Sequence, residues 1–243
     1  SCYGTNDLGE MLDDELARSE TPESIPSSTE FSPAPSHLDT NSICSFMENN
    51  EVRSLVTKEI KMYGLRRNCG YKGGALLDIL TKPSAIENKQ HLTKICETPI
   101  FHDSQSHCQY WFNHELSISI EYAKTHAVFK QLDFCDKCVL LEETHVALFL
   151  FTAAYEAHFK EGKTLTYANG DKLVCGQDSG SPKDLIDIMG RCSLDPATFA
   201  LTKAIVFLNN DAFGLSPVGK KQLELGRDQH LRLLSAYTFQ RYS

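Results

Sequence analysis

The sequence predicts an all-α fold, a layered helical domain with one small β-hairpin. Three observations carry that expectation. Apolar residues recur at helical spacing through most of residues 51–243, the stretch around residues 139–154 is apolar on nearly every face, and Ser-Pro or Asp-Pro pairs mark three helix starts. The chain has 243 residues and a formal net charge of −8, unevenly placed. Residues 1–50 carry ten acids and one base, Arg18, whereas residues 51–243 carry 22 acids and 23 bases. Residues 1–50 also hold four of the nine prolines, a composition that buries too little apolar surface to offset chain entropy. They read as a disordered acidic Pro/Ser-rich hinge or tail; a solvated linker and a partner-binding arm share that composition. Residues 51–243 read as one domain with one core. Without a basic surplus, the chain alone is a poor candidate for nucleic-acid binding.

Taken in order, the elements justify themselves. Val52, Leu55, Val56 and Ile60 recur at helical spacing, and Gly64 is the expected stop. Leu76-Leu77-Asp78-Ile79-Leu80 has the spacing of a short docking helix, but such a run is more often simply a core segment. Between Cys108 and Val128, Trp111, Glu115, Ile118 and Tyr122 share one face of a helix. Phe112, Leu116, Ser119 with Ile120, and Ala123 share another, which implies packing on several sides. The next helix, Lys137 to His158, is expected to run through the middle of the fold. Thr164–Tyr167 and Lys172–Cys175 then flank Asn169-Gly170, a pair that favours a tight turn with positive φ at both central positions. Ser181-Pro182 with Asp184 starts one further helix, and Asp195-Pro196 starts a second that reaches about Leu208. Ser216-Pro217 starts the last, with Leu223, Leu231, Leu234 and Tyr237 on its inner face.

Fragments that imitate catalytic motifs fail on context. Gly176–Pro182 looks like a serine-protease nucleophile loop, yet His158 stands too near in a helical chain. Gly162-Lys163-Thr164 lacks the first glycine of a phosphate loop and leads from helix to strand, the reverse of what is needed. Cys135-x-x-Cys138 is a lone pair without two further zinc ligands, which leaves a redox role as a distant third reading. The nine scattered cysteines read as free thiols of a soluble intracellular protein. No catalytic or metal-binding constellation is present, so the chain is not read as an enzyme.

Residues 122–141 are specific. They read Tyr122-Ala123-Lys124, then Phe129, Leu132, Asp136-Lys137 and Leu140-Leu141. At all nine positions this resembles the signature of nuclear receptor ligand-binding domains. Thr198–Asn210, Gly214-Leu-Ser-Pro217 and the long helix after them resemble the family's eighth and ninth helices. The phrasing is most similar to the expanded nematode receptors related to hepatocyte nuclear factor receptors. The resemblance implies a three-layer antiparallel helical sandwich over residues 51–243 and a transcriptional regulator acting in the nucleus, with the cytoplasm also allowed. It implies that Lys124 is the basic half of a clamp for L-x-x-L-L coregulator helices, in a groove with Val128, Phe129, Leu140 and Leu141. It implies that Cys108, Trp111, Phe112, Glu115, Ile118, Ser119, Phe149, Thr152 and Ala153 face a lipid-like ligand. An open pocket and a filled core are both compatible with those residues.

The sequence also departs from the family. Glu142 stands where many members carry a second basic residue. By the family pattern the chain stops after the ninth helix, so the dimerising tenth helix and the terminal activation helix are expected to be missing. The zinc-carrying DNA-binding module is expected to be missing too, and with it any zinc cofactor and direct DNA contact. Two readings follow: a ligand-regulated or orphan transcriptional regulator, or an inhibitory or vestigial receptor domain serving as a non-liganded interaction module.

Overall fold

The computed structural model describes residues 50–70, 74–87, 99–159, 164–173, 182–192 and 194–242. The acidic arm before Asn50, Ser181 and the end of the Lys172–Cys175 segment lie outside them. Among the described residues there are eight α-helices: α1 (Asn50–Asn68), α2 (Leu76–Thr81), α3 (Ser104–Lys124), α4 (Ala127–Gln131), α5 (Phe134–His158), α6 (Pro182–Cys192), α7 (Pro196–Phe207) and α8 (Pro217–Tyr242). A 3-10 turn covers Ala85–Glu87. The all-α expectation holds for these residues.

The helix starts have local causes. Asp103 caps α3 by accepting from the Ser106 amide at 2.7 Å, Asp133 caps α5 by accepting from the Asp136 amide at 2.8 Å, and Asp195 caps α7 by accepting from the Thr198 amide at 2.7 Å. The Ser216 hydroxyl accepts from the Gly219 amide at 3.0 Å at the head of α8. Each satisfies an amide that has no partner within its own helix.

Several boundaries differ from expectation. Helix α1 continues past Gly64 to Asn68, because Leu65 and Arg66 are both buried and their contacts outweigh the modest cost of one helical glycine. Helix α5 begins at Phe134, three residues before Lys137, since Asp133 caps it; Asp136 lies in its first turn. The Cys108–Val128 stretch is two helices: α3 ends at Lys124, and His126 takes an extended conformation that starts α4. On α8, Leu223 and Tyr237 are buried but Leu231 is 43% exposed. At 100° per residue, position 231 lies about 80° from position 223, off the inward stripe.

The expected hairpin is reduced to one antiparallel bridge, Thr166 with Lys172, and no strand occurs among the described residues. The Gly170 amide donates to the Tyr167 carbonyl, which puts Ala168-Asn169 at the turn's centre, and Gly170 carries the positive φ of 90° just after it. The Asp171 amide donates to the Asn169 side-chain oxygen at 3.1 Å, fixing this longer loop instead of a two-residue one.

Helix α5 lies among α3, α6 and α7, and α7 also packs on α1 and α8. By length and composition α5 could cross a membrane, but here its Leu140, Leu148, Ala153 and Ala154 are buried by neighbouring helices. Three apolar clusters result. Phe129, Leu132, Leu140, Leu141, Phe207 and Leu223 form one. Val52, Tyr155, Phe199 and Tyr237 belong to the second, where the Tyr155 and Phe199 rings stack 3.8 Å apart. Trp111, Phe149, Tyr167, Ile186 and Met189 belong to the third.

Candidate functional site

Two features stand out, a cavity between helices and a basic surface groove. The cavity lies where α1, α3, α5 and the start of α7 meet. Met62, Ile118, Leu148, Phe149, Tyr155 and Phe199 supply its apolar and aromatic wall. Its charges are paired with one another. The Arg66 guanidinium donates through Nε to both Glu115 oxygens at 3.0–3.1 Å and through Nη1 to Glu156 Oε1 at 2.5 Å. Arg66 also reaches the Thr166 carbonyl at 3.3 Å. Burial works against the Arg66 charge, but the two carboxylates outweigh it and raise its pKa further. Nearby, the Lys203 ammonium lies 2.7 Å from Glu59 and 4.5 Å from the centre of the Tyr122 ring. The Tyr122 hydroxyl is buried with no hydrogen-bond partner among the described residues. Burial first, then the Glu59 charge, raises its pKa, so it stays protonated. About 50 Å³ of free space remains, room for a few waters.

The expected ligand-facing residues divide. Glu115, Ile118, Ser119, Phe149 and Thr152 line this cavity. Trp111 and Ala153 lie instead in the third cluster, where Trp111 and Phe149 each stack on Tyr167. Cys108 is half-buried, and Phe112 is 45% exposed with its ring edge-on to His145. Sequence reading missed Arg66, Glu156, Glu59 and Lys203. A signal existed for the first: Val52, Glu59 and Arg66 are spaced by seven, so two charges fall on the stripe that apolar periodicity turns inward. A charge there needs a buried counter-charge, and Glu115 and Glu156 supply it.

The groove lies between α2 and the α3–α4–α5 junction. Leu80, Pro83 and Phe129 contribute apolar surface, and Lys82, Lys124, Lys130 and Lys137 surround it. It encloses about 210 Å³. Lys124 is mostly buried, and its ammonium lies 2.7 Å from Glu121. Glu121 in turn accepts from the Ala85 amide at 2.6 Å and the Ser84 hydroxyl at 3.1 Å. Lys82, Lys130 and Lys137 have no carboxylate partner among the described residues. Of the expected groove residues, Lys124 and Phe129 line this depression. Leu140 and Leu141 are buried in the first cluster. Val128 packs instead against α8, where a Cβ on Gly226 would stand 2.8 Å from its methyl group.

Asp136, a fixed position of the signature, joins two helix heads. It sits in the first turn of α5 and accepts from the Ser216 amide at 2.7 Å and the Ser216 hydroxyl at 2.6 Å. Gly219 packs so closely on it that an added Cβ would lie 2.2 Å from Asp136 Oδ2. No group of three or more His, Cys, Asp or Glu is gathered as a metal site among the described residues. Burial, followed by Cys135 and Glu142, raises the Cys138 pKa, the opposite of what a reactive thiolate requires.

The chain is 28% identical over 145 residues to nuclear hormone receptor family member nhr-10 of Caenorhabditis elegans, covering 55% of this chain and 37% of that protein. It is 24% identical over 157 residues to nuclear hormone receptor family member nhr-1 of the same organism, covering 58% and 34%. These similarities support a nuclear receptor relationship. The chain spans little more than a third of the length of the curated relatives it matches. It matches no family model. The similarity suggests a receptor class of transcription regulators and is consistent with a non-enzymatic role.

Proposed function

We propose that residues 51–243 are the ligand-binding-type domain of a nuclear-receptor-related transcriptional regulator, and that coregulators dock at the Lys124 groove. The observation that carries this reading is the nine-position signature from Tyr122 to Leu141, with Asp136 holding the α5 and α8 heads together. The helices are read as a three-layer antiparallel sandwich with α5 inside, and the protein acts in the nucleus. An L-x-x-L-L helix would enter with its C-terminal carbonyls toward Lys124 and neighbouring lysines, a favourable charge–dipole arrangement. Lys124 would have to share its ammonium with Glu121 to do so. Binding of a labelled L-x-x-L-L peptide, measured for the chain and for Lys124→Ala, tests this. A folded chain that binds no such peptide sinks the groove assignment.

A second reading, a non-liganded interaction module, draws support from the cavity. Its 50 Å³ is small beside the roughly 300–1,000 Å³ of ordinary ligand sites, and its charges already neutralise one another. Gentle native mass spectrometry separates the two readings. A co-purified lipid-like molecule supports the ligand-binding domain, and a bare mass supports the module.

A further inference from the structure

The basic groove and the acidic arm of this one chain are complementary. The Lys82, Lys130 and Lys137 side chains ring an apolar floor of Leu80, Pro83 and Phe129 and meet no carboxylate among the described residues. Leu76 and Leu77, on the α2 helix that supplies Leu80, are 40% and 55% exposed, which extends the apolar surface beside the floor. The occupant must therefore be apolar on one side and acidic on the other. Residues 1–49 carry ten acids and one base, and five of those acids fall within residues 7–16 with no base among them. In that stretch Leu8, Met11, Leu12 and Leu16 stand at i, i+3, i+4 and i+8, the spacing of one helix face. Glu10, Asp13 and Asp14 take the opposite face with Asp7 beside them, and Glu15 falls between Leu8 and Met11, where it can reach the lysines at the rim of the floor.

Reach agrees with this pairing. Thirty-three residues lie between Leu16 and Asn50, and a coil of that length spans about 30 Å. Lys58 stands eight residues into α1, about 12 Å along the helix axis, and is near enough to Lys130 for the two charges to oppose each other. The groove is thus within the span of the tether, which sets an effective concentration on the order of millimolar.

We propose that residues 7–16 dock as an acidic amphipathic helix in the Lys82–Lys130–Lys137 groove of their own chain and compete there with coregulator helices. The proposal rests on the groove reading above and adds its regulation: a partner must displace the arm. The test uses the full chain, with Leu8→Ser/Leu12→Ser in the arm and Lys130→Glu/Lys137→Glu in the groove. A labelled L-x-x-L-L peptide is expected to bind the Leu8/Leu12 variant at least about 5-fold tighter than the unaltered chain, with the gap shrinking at 0.5 M salt. Hydrogen exchange of residues 8–16 is expected to be slowed in the unaltered chain and to reach the free-peptide rate in the lysine variant. Equal, measurable peptide binding by both chains overturns self-docking and leaves the coregulator groove standing. Slowed exchange that the lysine variant abolishes, without peptide binding by any form, supports self-docking and overturns the coregulator reading. Exchange at the free-peptide rate in the unaltered chain overturns self-docking outright.

Discussion

The cavity and the groove are both lined by charge and aromatic surface, yet they use charge in opposite ways. In the cavity Arg66 meets Glu115 and Glu156, and Lys203 meets Glu59, so its charges are directed at one another. In the groove only Lys124 has a carboxylate beside it, while Lys82, Lys130 and Lys137 have none among the described residues. Buried paired charges hold helices in register at a desolvation cost, whereas unmatched surface charges are available to something else. The first region is chiefly a joint between α1, α3 and α5. The second keeps three lysines without a carboxylate among the described residues, as the proposed docking of an acidic or helical partner requires.

The sharpest way to break this contrast is Arg66→Met. It leaves Glu115 and Glu156 buried without their counter-charge and should cost about 3–5 kcal/mol in urea unfolding. A loss under 1 kcal/mol would mean that the joint is not what holds these helices. Next comes Gly219→Ala, which drives a methyl group into the Asp136 carboxylate and should cost about 1–3 kcal/mol with a matching fall in Tm. Unchanged stability there would contradict the close approach of α5 and α8.

The groove should respond differently. Lys124→Ala should weaken L-x-x-L-L peptide binding about 5-fold. Because it leaves the mostly buried Glu121 without its counter-charge, it should also cost about 1–3 kcal/mol in unfolding. A large stability loss with unaltered binding would move Lys124 from the groove to the joint. The smallest expected effect concerns His126, buried beside Tyr122, Phe207 and His230. Burial first, then the positive surroundings of Lys58, His230 and Lys203, holds its pKa well below 6.5. The unfolded chain therefore binds a proton that the folded chain refuses. This group's contribution is fully present above about pH 6.5 and is lost as pH falls toward the folded pKa. Unfolding followed between pH 7.5 and 5 should show that decline, and His126→Phe should flatten part of it. His114, also depressed by burial, supplies some of the remainder.

Sequence reading succeeded where one helix explains itself. The Asp195-Pro196 start follows from a cap, which is local. The expectation that α5 runs through the middle of the fold holds for only part of its surface, since Val146 is 43% exposed and Glu142, Glu143 and Ala147 also face outward. Sequence reading faltered where distant residues decide. Gly64 did not end α1, because Arg66 beyond it finds Glu115, 49 positions away, and Glu156, 90 positions away. Trp111 is as apolar as Ile118, but the packing of Tyr167 from a loop draws its ring into the third cluster, away from the cavity that Ile118 and Phe149 line.

By itself the sequence determined the helical class, most helix starts, the nine-position signature and the imbalance between an acidic arm and a neutral body. These are properties of spacing and composition along the chain. The tertiary structure alone decided which charges meet. Arg66, Glu115 and Glu156 are far apart in sequence and become a joint only when α1, α3 and α5 converge, because counter-charges are selected by distance in space. The placement of the α2 end and of α4 beside the head of α5 likewise left Lys82, Lys130 and Lys137 around one depression without counter-charges of their own among the described residues.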